Sequence, residues 1–379
     1  MAVPTAWCNF MRHGYLLPDY LYTSDSVFKN EIRQIFLSGS FACFEGSSDP
    51  SNKYSAFTHL KIPLILARRE SGRCVFLNMC PHKRMILIES QGVNTEILRC
   101  PYHGWQFNDQ GDCVRAGYES LDTEGELIPS QIRLAKFNTV DFGAWGFISQ
   151  DTSFSSQFGR DVITGIRSIA ASVDPIFQYI SQTRTFNWKL YFDNLHDDSH
   201  VPFLHSNSLA KSLDISLKER IRILNREPAK KFNDIKQMSY MANDGSVNAE
   251  HDYYRHIQPL FPTPGYYNVV AWPNLHIASS DSGRTFLVEI HEPLSAKETK
   301  VHIFLFLRKN SWSTRKKQLF LDQLSVNTLT VLEEDFAACE KVQHAKELSL
   351  IPDTLSQIDN RNLSRNQFYA DLMDKYLDS

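Results

Sequence analysis

The sequence predicts an α+β protein: an N-terminal all-β domain, then a C-terminal domain of antiparallel sheet closed by helices. Three observations carry this. From about residue 40 to 150, apolar residues come in short strand-like runs separated by turn clusters such as Asp49-Pro50-Ser51-Asn52 and Ser71-Gly72. Beyond residue 155 the runs lengthen: Tyr266–Ala271, Arg284–His291 and Lys300–Leu307 are rich in β-branched and aromatic residues. The segment from roughly 313 to 348 reads as one helix. A long helix across a long antiparallel sheet encloses a cavity, where a ligand site is expected.

Taken in order, residues 23–37 read as an amphipathic helix, with Phe28, Ile32, Ile35 and Phe36 recurring at i, i+4, i+7 and i+8 and Ser24 or Asp25 as N-cap. Strands are expected at Ser40–Phe44, Phe57–Lys61, Leu64–Arg68, Cys74–Asn78, Ile97–Arg99 and Trp145–Ile148. A helix near 160–182 leads into Asn187-Trp188-Lys189-Leu190, and polar linkers are expected at 206–250. The expected domains are an arm and helix at 1–39, the all-β domain at 40–155 and the C-terminal domain at 156–379.

A chain of 379 residues is long for a bare electron carrier and suggests about two domains. With 42% apolar residues, 22% charged and a net charge of −3, nothing points to nucleic acid or an anionic membrane as partner. No apolar run reaches the roughly eighteen residues of a spanning helix. The first residues lack a basic region followed by a long apolar core, so no secretory signal is expected. Five of the seven cysteines (Cys8, Cys43, Cys74, Cys113 and Cys339) show no paired spacing. An odd remainder fits a reducing interior, and a cytoplasmic location is expected.

Chemistry is concentrated in two places. The first is Cys80-Pro81-His82 followed by Cys100-Pro101-Tyr102-His103, with Gly104-Trp105-Gln106-Phe107, Asp109 and Gly111 after it. Two thiolates suit one iron of a [2Fe–2S] cluster and two imidazoles the other, which raises its potential above that of an all-cysteine cluster. Structural zinc is the alternative, but zinc sites usually pair Cys with Cys and His with His, whereas here they alternate. Neither loop carries a spare cysteine, which argues for the lower-potential type of cluster.

The second is Asp197-Asp198-Ser199-His200, with His205 five residues on. Asp197 and His200 share a helical face, and Pro202 is expected to break the helix so that His205 can turn back. Two unrelated histidines, or the pair His196 and His200 at i, i+4, are the alternatives. A carboxylate is available on the C-terminal helix. Leu332, Asp335, Cys339 and Val342 form a stripe that is apolar except for Asp335, while Glu333 and Glu334 are left free to face water. A carboxylate facing a core is costly unless a cation neutralises it; the alternative is a rotated helix with Asp335 in solvent. His200, His205 and Asp335 together make the two-His, one-carboxylate triad of non-haem Fe(II) oxygenases.

Both constellations together resemble the Rieske non-haem iron ring-hydroxylating oxygenases, specifically their catalytic (α) subunit. The similarity runs from Leu17-Pro18-Asp19-Tyr20 through both cluster loops and the Asp197, His200 and His205 segment to Glu334-Asp335 and Gln343. One departure is that these oxygenases usually read Cys-x-His-Arg, whereas Lys83 intervenes here before Arg84.

The resemblance implies an all-β Rieske [2Fe–2S] domain and a helix-grip catalytic domain. Cys80 and Cys100 are then expected on one cluster iron, His82 and His103 on the other, and His200, His205 and Asp335 on mononuclear Fe(II). A homotrimer is implied, in which the cluster of one subunit serves the iron of its neighbour. Asp197 matches the bridging acid between His200 and the neighbour's cluster histidine. A separate ferredoxin or flavin reductase would deliver electrons, because the chain has no Gly-x-Gly-x-x-Gly stretch for a dinucleotide. With O₂, the outcome is hydroxylation, cis-dihydroxylation or oxidative dealkylation of a small organic substrate, aromatic by first expectation. The alternatives are a quaternary-ammonium oxygenase and, in a different class, an electron-transfer Rieske protein without oxygenase activity. Candidate pocket residues are Asn194, Phe203, Leu204, Trp272, Asn274 and His276, each with ordinary packing as the alternative. Tyr253, Tyr254, Tyr266 and Tyr267 are candidates for an aromatic cage around an ammonium group, or for strand packing.

Overall fold

In a computed structural model of the chain, the described residues are 17–44, 51–89, 92–117, 132–151, 160–196, 200–208, 237–242, 256–261 and 266–351, with Asn366, Tyr369 and Met373. They fall into two compact units, Phe36–Gln157 and a second that combines Met1–Ile35 with Phe158–Ser379.

In the first unit the strands are β1 (Ser40–Cys43), β2 (Tyr54–His59), β3 (Ile62–Arg69), β4 (Gly72–Leu77), β5 (Leu98–Arg99), β6 (Gln106–Phe107), β7 (Cys113–Arg115), β8 (Lys136–Asp141) and β9 (Trp145–Ser149). A six-stranded sheet has the order β1-β9-β8-β4-β3-β2, and β5-β6-β7 form a separate small sheet. Alternation along β3 and β4 divides their side chains between two cores. Leu64, Leu66 and Val75 pack with Phe137 and Ile148. Ile65, Ala67, Cys74 and Phe76 pack with Cys80, Cys100, Trp105 and Phe107. The first cluster motif is thus carried at the end of β4, and the second between β5 and β6. Gly111 makes the β6–β7 connection possible: its φ is +83°, and a Cβ there would meet Phe76 at 2.6 Å.

The strand expected at Phe57–Lys61 instead begins at Tyr54 and ends at His59. Leu60 and Lys61 form a two-residue turn with φ of 54° and 62°, between the paired His59 and Ile62. Two left-handed residues match the twist of a hairpin, even though neither is glycine.

In the second unit, α1 (Tyr20–Thr23) and α2 (Asp25–Glu31) precede a π-helical turn at Ile32–Phe36. The Ser24 hydroxyl caps α2 by accepting from the Val27 N–H. Then follow α3 (Arg160–Ser172), β10 (Val173–Arg184), α4 (Trp188–Leu195), α5 (Val201–Leu204), β11 (Gln237–Ala242), β12 (Tyr266–Ala271), β13 (Leu275–Ser279), β14 (Thr285–Ser295), β15 (Glu298–Arg308) and α6 (Thr314–Leu348). The sheet order is β10-β15-β14-β13-β12-β11, antiparallel throughout. Helix α6 packs against β10, β15 and α4.

Two expectations are corrected here. The helix expected over 160–182 stops at Ser172, and residues from Val173 pair with β15. Pro175 disfavours helix at the residue before it, and the Ile176, Phe177, Tyr179 and Ile180 run suits a strand. Part of the expected linker at 206–250 is strand β11.

A buried polar knot fixes the start of α4. Glu31, fully buried, accepts hydrogen bonds from Lys189 Nζ (2.5 Å), Tyr369 Oη (2.6 Å) and Trp188 Nε1 (3.0 Å). The Lys189 ammonium also lies 5.2–5.5 Å from the ring centroids of Tyr22, Trp188 and Tyr369. Asn187 caps α4 with its side chain, and its own N–H is held by Gln343 Oε1 at 2.9 Å. Gln343, quoted above for its resemblance alone, thus ties α6 to the helix that leads into the histidine segment.

Candidate metal centres

The two cluster loops repeat one backbone design. In the first, Cys80 N–H donates to Met85 O at 2.8 Å and Arg84 N–H to Cys80 O at 2.8 Å. In the second, Cys100 N–H donates to Trp105 O at 2.7 Å and Gly104 N–H to Cys100 O at 3.0 Å. The residue four after each cysteine is left-handed, Arg84 at φ 59° and Gly104 at φ 72°. Asn78 ties the chain leaving the first loop, accepting from Leu87 N–H and Ile88 N–H and donating to Ile88 O.

This design puts both thiols inside, Cys80 at 1% and Cys100 at 2% exposure, while Pro81, His82, Lys83 and Tyr102 are exposed. The two imidazoles lie together, with ring centroids 4.6 Å apart. His82 also stacks flat on Trp105 at 4.9 Å. Burial, reinforced by the neighbouring Cys100 sulfur and opposed by the His82 amide, pushes the Cys80 thiol up to about 11. Desolvation and the neighbouring His103 and Lys83 hold His82 below its ordinary value, which favours the neutral form that a metal ligand requires. His103 Nδ1 is buried with no hydrogen-bond partner.

Among the described residues, the set of His, Cys, Asp or Glu donors lying within 4.8 Å of one another is His200, His205 and Asp335. The four loop residues do not close on a single ion. That disfavours zinc and fits a two-metal group with sulfur donors inside and nitrogen donors outside.

The second donor set is built by three elements. His200 and His205 flank α5, at its N-cap and C-cap positions. Pro202 does not break the chain as expected; it sits in the first turn of α5, where its missing N–H costs nothing. Residues 197–199 lie outside the described residues, so the place of Asp197 is not described. Asp335 comes from α6. Its Oδ1 is 3.0 Å from His205 Nε2, 3.5 Å from His200 Nε2 and 2.8 Å from Asn194 Nδ2. Burial raises the Asp335 carboxyl, but hydrogen bonds and charge from His200 and His205 outweigh it and lower the value to about 2. The rival His196 turns back to its own helix, donating from Nδ1 to Phe192 O at 2.5 Å.

The buried stripe of α6 runs Leu332, Asp335, Phe336, Cys339, Gln343 and Lys346. Val342, at the stripe's edge, is 44% exposed. Glu334 is not left to water as expected. Its Oε2 accepts from His205 Nδ1 at 2.7 Å and from Ser208 Oγ at 2.5 Å. Glu333 pairs with Arg184 at 2.8 Å.

The pocket candidates disperse. Asn194 serves the Asp335 carboxylate directly. Phe203 is 72% exposed. Leu204 is half-buried. Trp272 packs edge-on against Trp188 at 5.8 Å. Asn274 is fully buried, its carbonyl accepting from His291 N–H. His276 donates from Nδ1 to Glu289, which also accepts from Tyr191 Oη at 3.0 Å. Sequence reasoning missed Glu289 and Tyr191; the available signal was a glutamate between Val288 and Ile290 in a strand-like run. Tyr267 stacks on Phe261 at 3.8 Å; Tyr253 and Tyr254, and the side chain of Tyr266, lie outside the described residues.

An all-β unit with a two-metal donor set and a helix-closed sheet with a two-His, one-carboxylate triad define a Rieske-type non-haem iron oxygenase. Residues 41–123 match the Rieske [2Fe–2S] domain, and residues 170–375 match the catalytic domain of the ring-hydroxylating α subunit. The chain belongs to that α-subunit family, and its cofactors are a Rieske [2Fe–2S] cluster and mononuclear iron. It is 25% identical to the chloroplastic choline monooxygenase of Atriplex hortensis over 87% of this chain and 71% of that one. It is 22% identical to the carnitine monooxygenase oxygenase subunit of Acinetobacter baumannii over 84% and 82%. Among solved structures, it shares its fold with the quaternary ammonium Rieske monooxygenase CntA in complex with L-carnitine (TM-score 0.67, 16% identity, 98% of this chain and 99% of that one). It shares it equally with naphthalene 1,2-dioxygenase from Rhodococcus sp. (TM-score 0.66, 17% identity, 97% and 96%). No helix among the described residues is long and apolar enough to cross a membrane.

Proposed function

We propose that Cys80 and Cys100 hold one iron of the cluster, that His82 and His103 hold the other, and that His200, His205 and Asp335 hold the mononuclear Fe(II). The convergence of these last three donors within 4.8 Å carries the reading. When bound, the two centres supply electron relay and activation of O₂ beside the substrate. The chain's own part is to fix the donors. Asn194 holds Asp335 Oδ1, and α5 sets the spacing of the two histidines. Asp197 takes the bridging role beside His200.

Electrons come from a separate ferredoxin or reductase docking on the exposed His82, Lys83 and Tyr102 edge, and the working assembly is a homotrimer. The substrate is a small organic molecule. A quaternary amine is favoured over an arene by the likeness to choline monooxygenase across 87% of this chain; the likeness to a terephthalate dioxygenase component of Comamonas sp., 24% over half of the chain, keeps the aromatic reading as second.

Anaerobic metal analysis with visible spectroscopy tests the core: three irons per chain and a Rieske-type spectrum are expected, and zinc alone would end the proposal. Substrate-dependent O₂ uptake with a surrogate reductase, run on choline, carnitine and aromatic acids, separates the two substrate classes.

A further inference from the structure

Three consecutive carboxylates of α6 are all engaged, one by β10 and two by the histidine segment around α5. Glu333 pairs with Arg184 of β10 at 2.8 Å. Glu334 accepts from His205 Nδ1 at 2.7 Å and Ser208 Oγ at 2.5 Å. Asp335 faces the Nε2 atoms of both histidines. Successive residues on a helix differ by about 100°, so one rotation of α6 satisfies all three. Arg184 reinforces that rotation by also bonding Glu340 at 3.1 Å and lying 4.9 Å over the Phe336 ring.

The consequence for His205 is specific. A carboxylate only accepts, so the Glu334 contact holds a proton on Nδ1, and Nε2, which faces Asp335 Oδ1 at 3.0 Å, is the nitrogen that would turn its lone pair to an ion seated there. Among the described residues His200 has no such fixture: its Nδ1 is buried without a hydrogen-bond partner. We propose that Glu334, seated by Ser208, is the positioning residue that fixes the tautomer and ring orientation of His205 as a metal ligand. This rests on the reading of His200, His205 and Asp335 as the ion's ligands.

The test uses the full-length, cluster-loaded protein stripped of its mononuclear ion by chelator, with Co(II) as the probe and affinity read by chelator competition. Glu334→Ala should weaken Co(II) binding by about 10–100-fold, the usual loss when an outer carboxylate is removed from a ligating histidine. Glu334→Gln, whose amide oxygen still accepts from Nδ1, should fall between it and wild type. Ser208→Ala should lose about threefold or more. The cluster spectrum should be unchanged in all three, which a general structural role would not give. Wild-type Co(II) affinity in Glu334→Ala overturns the proposal. If that variant does not fold, Glu334→Leu, which removes the acceptor but keeps the bulk, decides: measurable weakening supports it, and wild-type affinity overturns it. Asp335→Ala separates the two levels: Co(II) binding retained there removes the ligand reading itself, whereas loss there with none in the Glu334 variants removes only the role of Glu334.

Discussion

Lys189→Met should cost the second unit about 3 kcal/mol, near the lower end of the range for breaking a buried ion pair. Lys189 and Glu31 are 1% and 0% exposed, with Nζ to Oε1 at 2.5 Å. Removing the ammonium leaves the Glu31 carboxylate in the core, although hydrogen bonds from Trp188 Nε1 and Tyr369 Oη remain and moderate the loss. Methionine keeps most of the side-chain volume, so little of the cost comes from a cavity. The assay is urea unfolding followed by tryptophan fluorescence, with the visible absorption of the cluster as an independent report on the first unit. The fluorescence midpoint should fall, and the cluster transition should hardly move. Adding Glu31→Gln should then recover about 2 kcal/mol, since the amide oxygen still accepts from Trp188 Nε1, the amide NH2 can donate to Tyr369 Oη, and no charge is stranded. A Lys189→Met variant within about 0.5 kcal/mol of wild type, or a double variant no better than the single one, refutes the assignment of Glu31 and Lys189 as a charge pair.

Three further outcomes are expected. Gly111→Ala should destabilise the first unit by about 2 kcal/mol or more, because it combines a left-handed φ of +83° with a Cβ 2.6 Å from the Phe76 ring; loss of cluster content on purification checks it. Lys61→Gly should stabilise the same unit by about 0.5–1 kcal/mol, since Lys61 sits at φ 62° in the β2–β3 turn; the midpoint of the cluster's thermal bleaching should rise. Asp197→Ala should leave both metal centres loaded and nearly abolish coupled turnover; normal product formation by this variant would remove the bridging role.

What could be read from the chain differed by level of structure. Candidate donors were legible because cysteine and histidine at fixed spacing carry their own chemistry, and the meeting of Asp335 with His200 and His205 was legible because it is one charge in an apolar stripe. The long strands β12, β14 and β15 were legible for the same reason α6 was: period and length agree. Strand β10 was not, because Val173 to Arg184 continues the apolar content of α3, and only Pro175 marks the change. Short β6 and β7 were invisible, since two or three residues carry no period. The role of Glu334 was hidden for a different reason. On a helical wheel it lies off the buried stripe, and its partner His205 is 129 residues away. Helical period separates core from surface, but it does not identify a half-exposed carboxylate that reaches a distant side chain.

The two histidines of the triad are held unequally, and the inequality has a direction. His205 is pinned at both nitrogens, to Glu334 through Nδ1 and toward Asp335 through Nε2. Among the described residues His200 shares only the Asp335 side, and its Nδ1 is buried without a partner. A ligand clamped by its own chain contributes affinity, because its orientation is settled before the ion arrives. A ligand whose outer nitrogen remains open can instead be linked to an acceptor that carries information from elsewhere. With Nε2 on the ion, Nδ1 of His200 would carry the ring proton; a buried N–H left unsatisfied costs about 1–3 kcal/mol, so a carboxylate that meets it would be coupled to the metal site. Asp197, three residues earlier, is the acid suited to that task in the proposed mechanism. The division of labour then predicts opposite signatures: variants at Glu334 change how tightly the ion is held, whereas variants at Asp197 change how well electrons reach it.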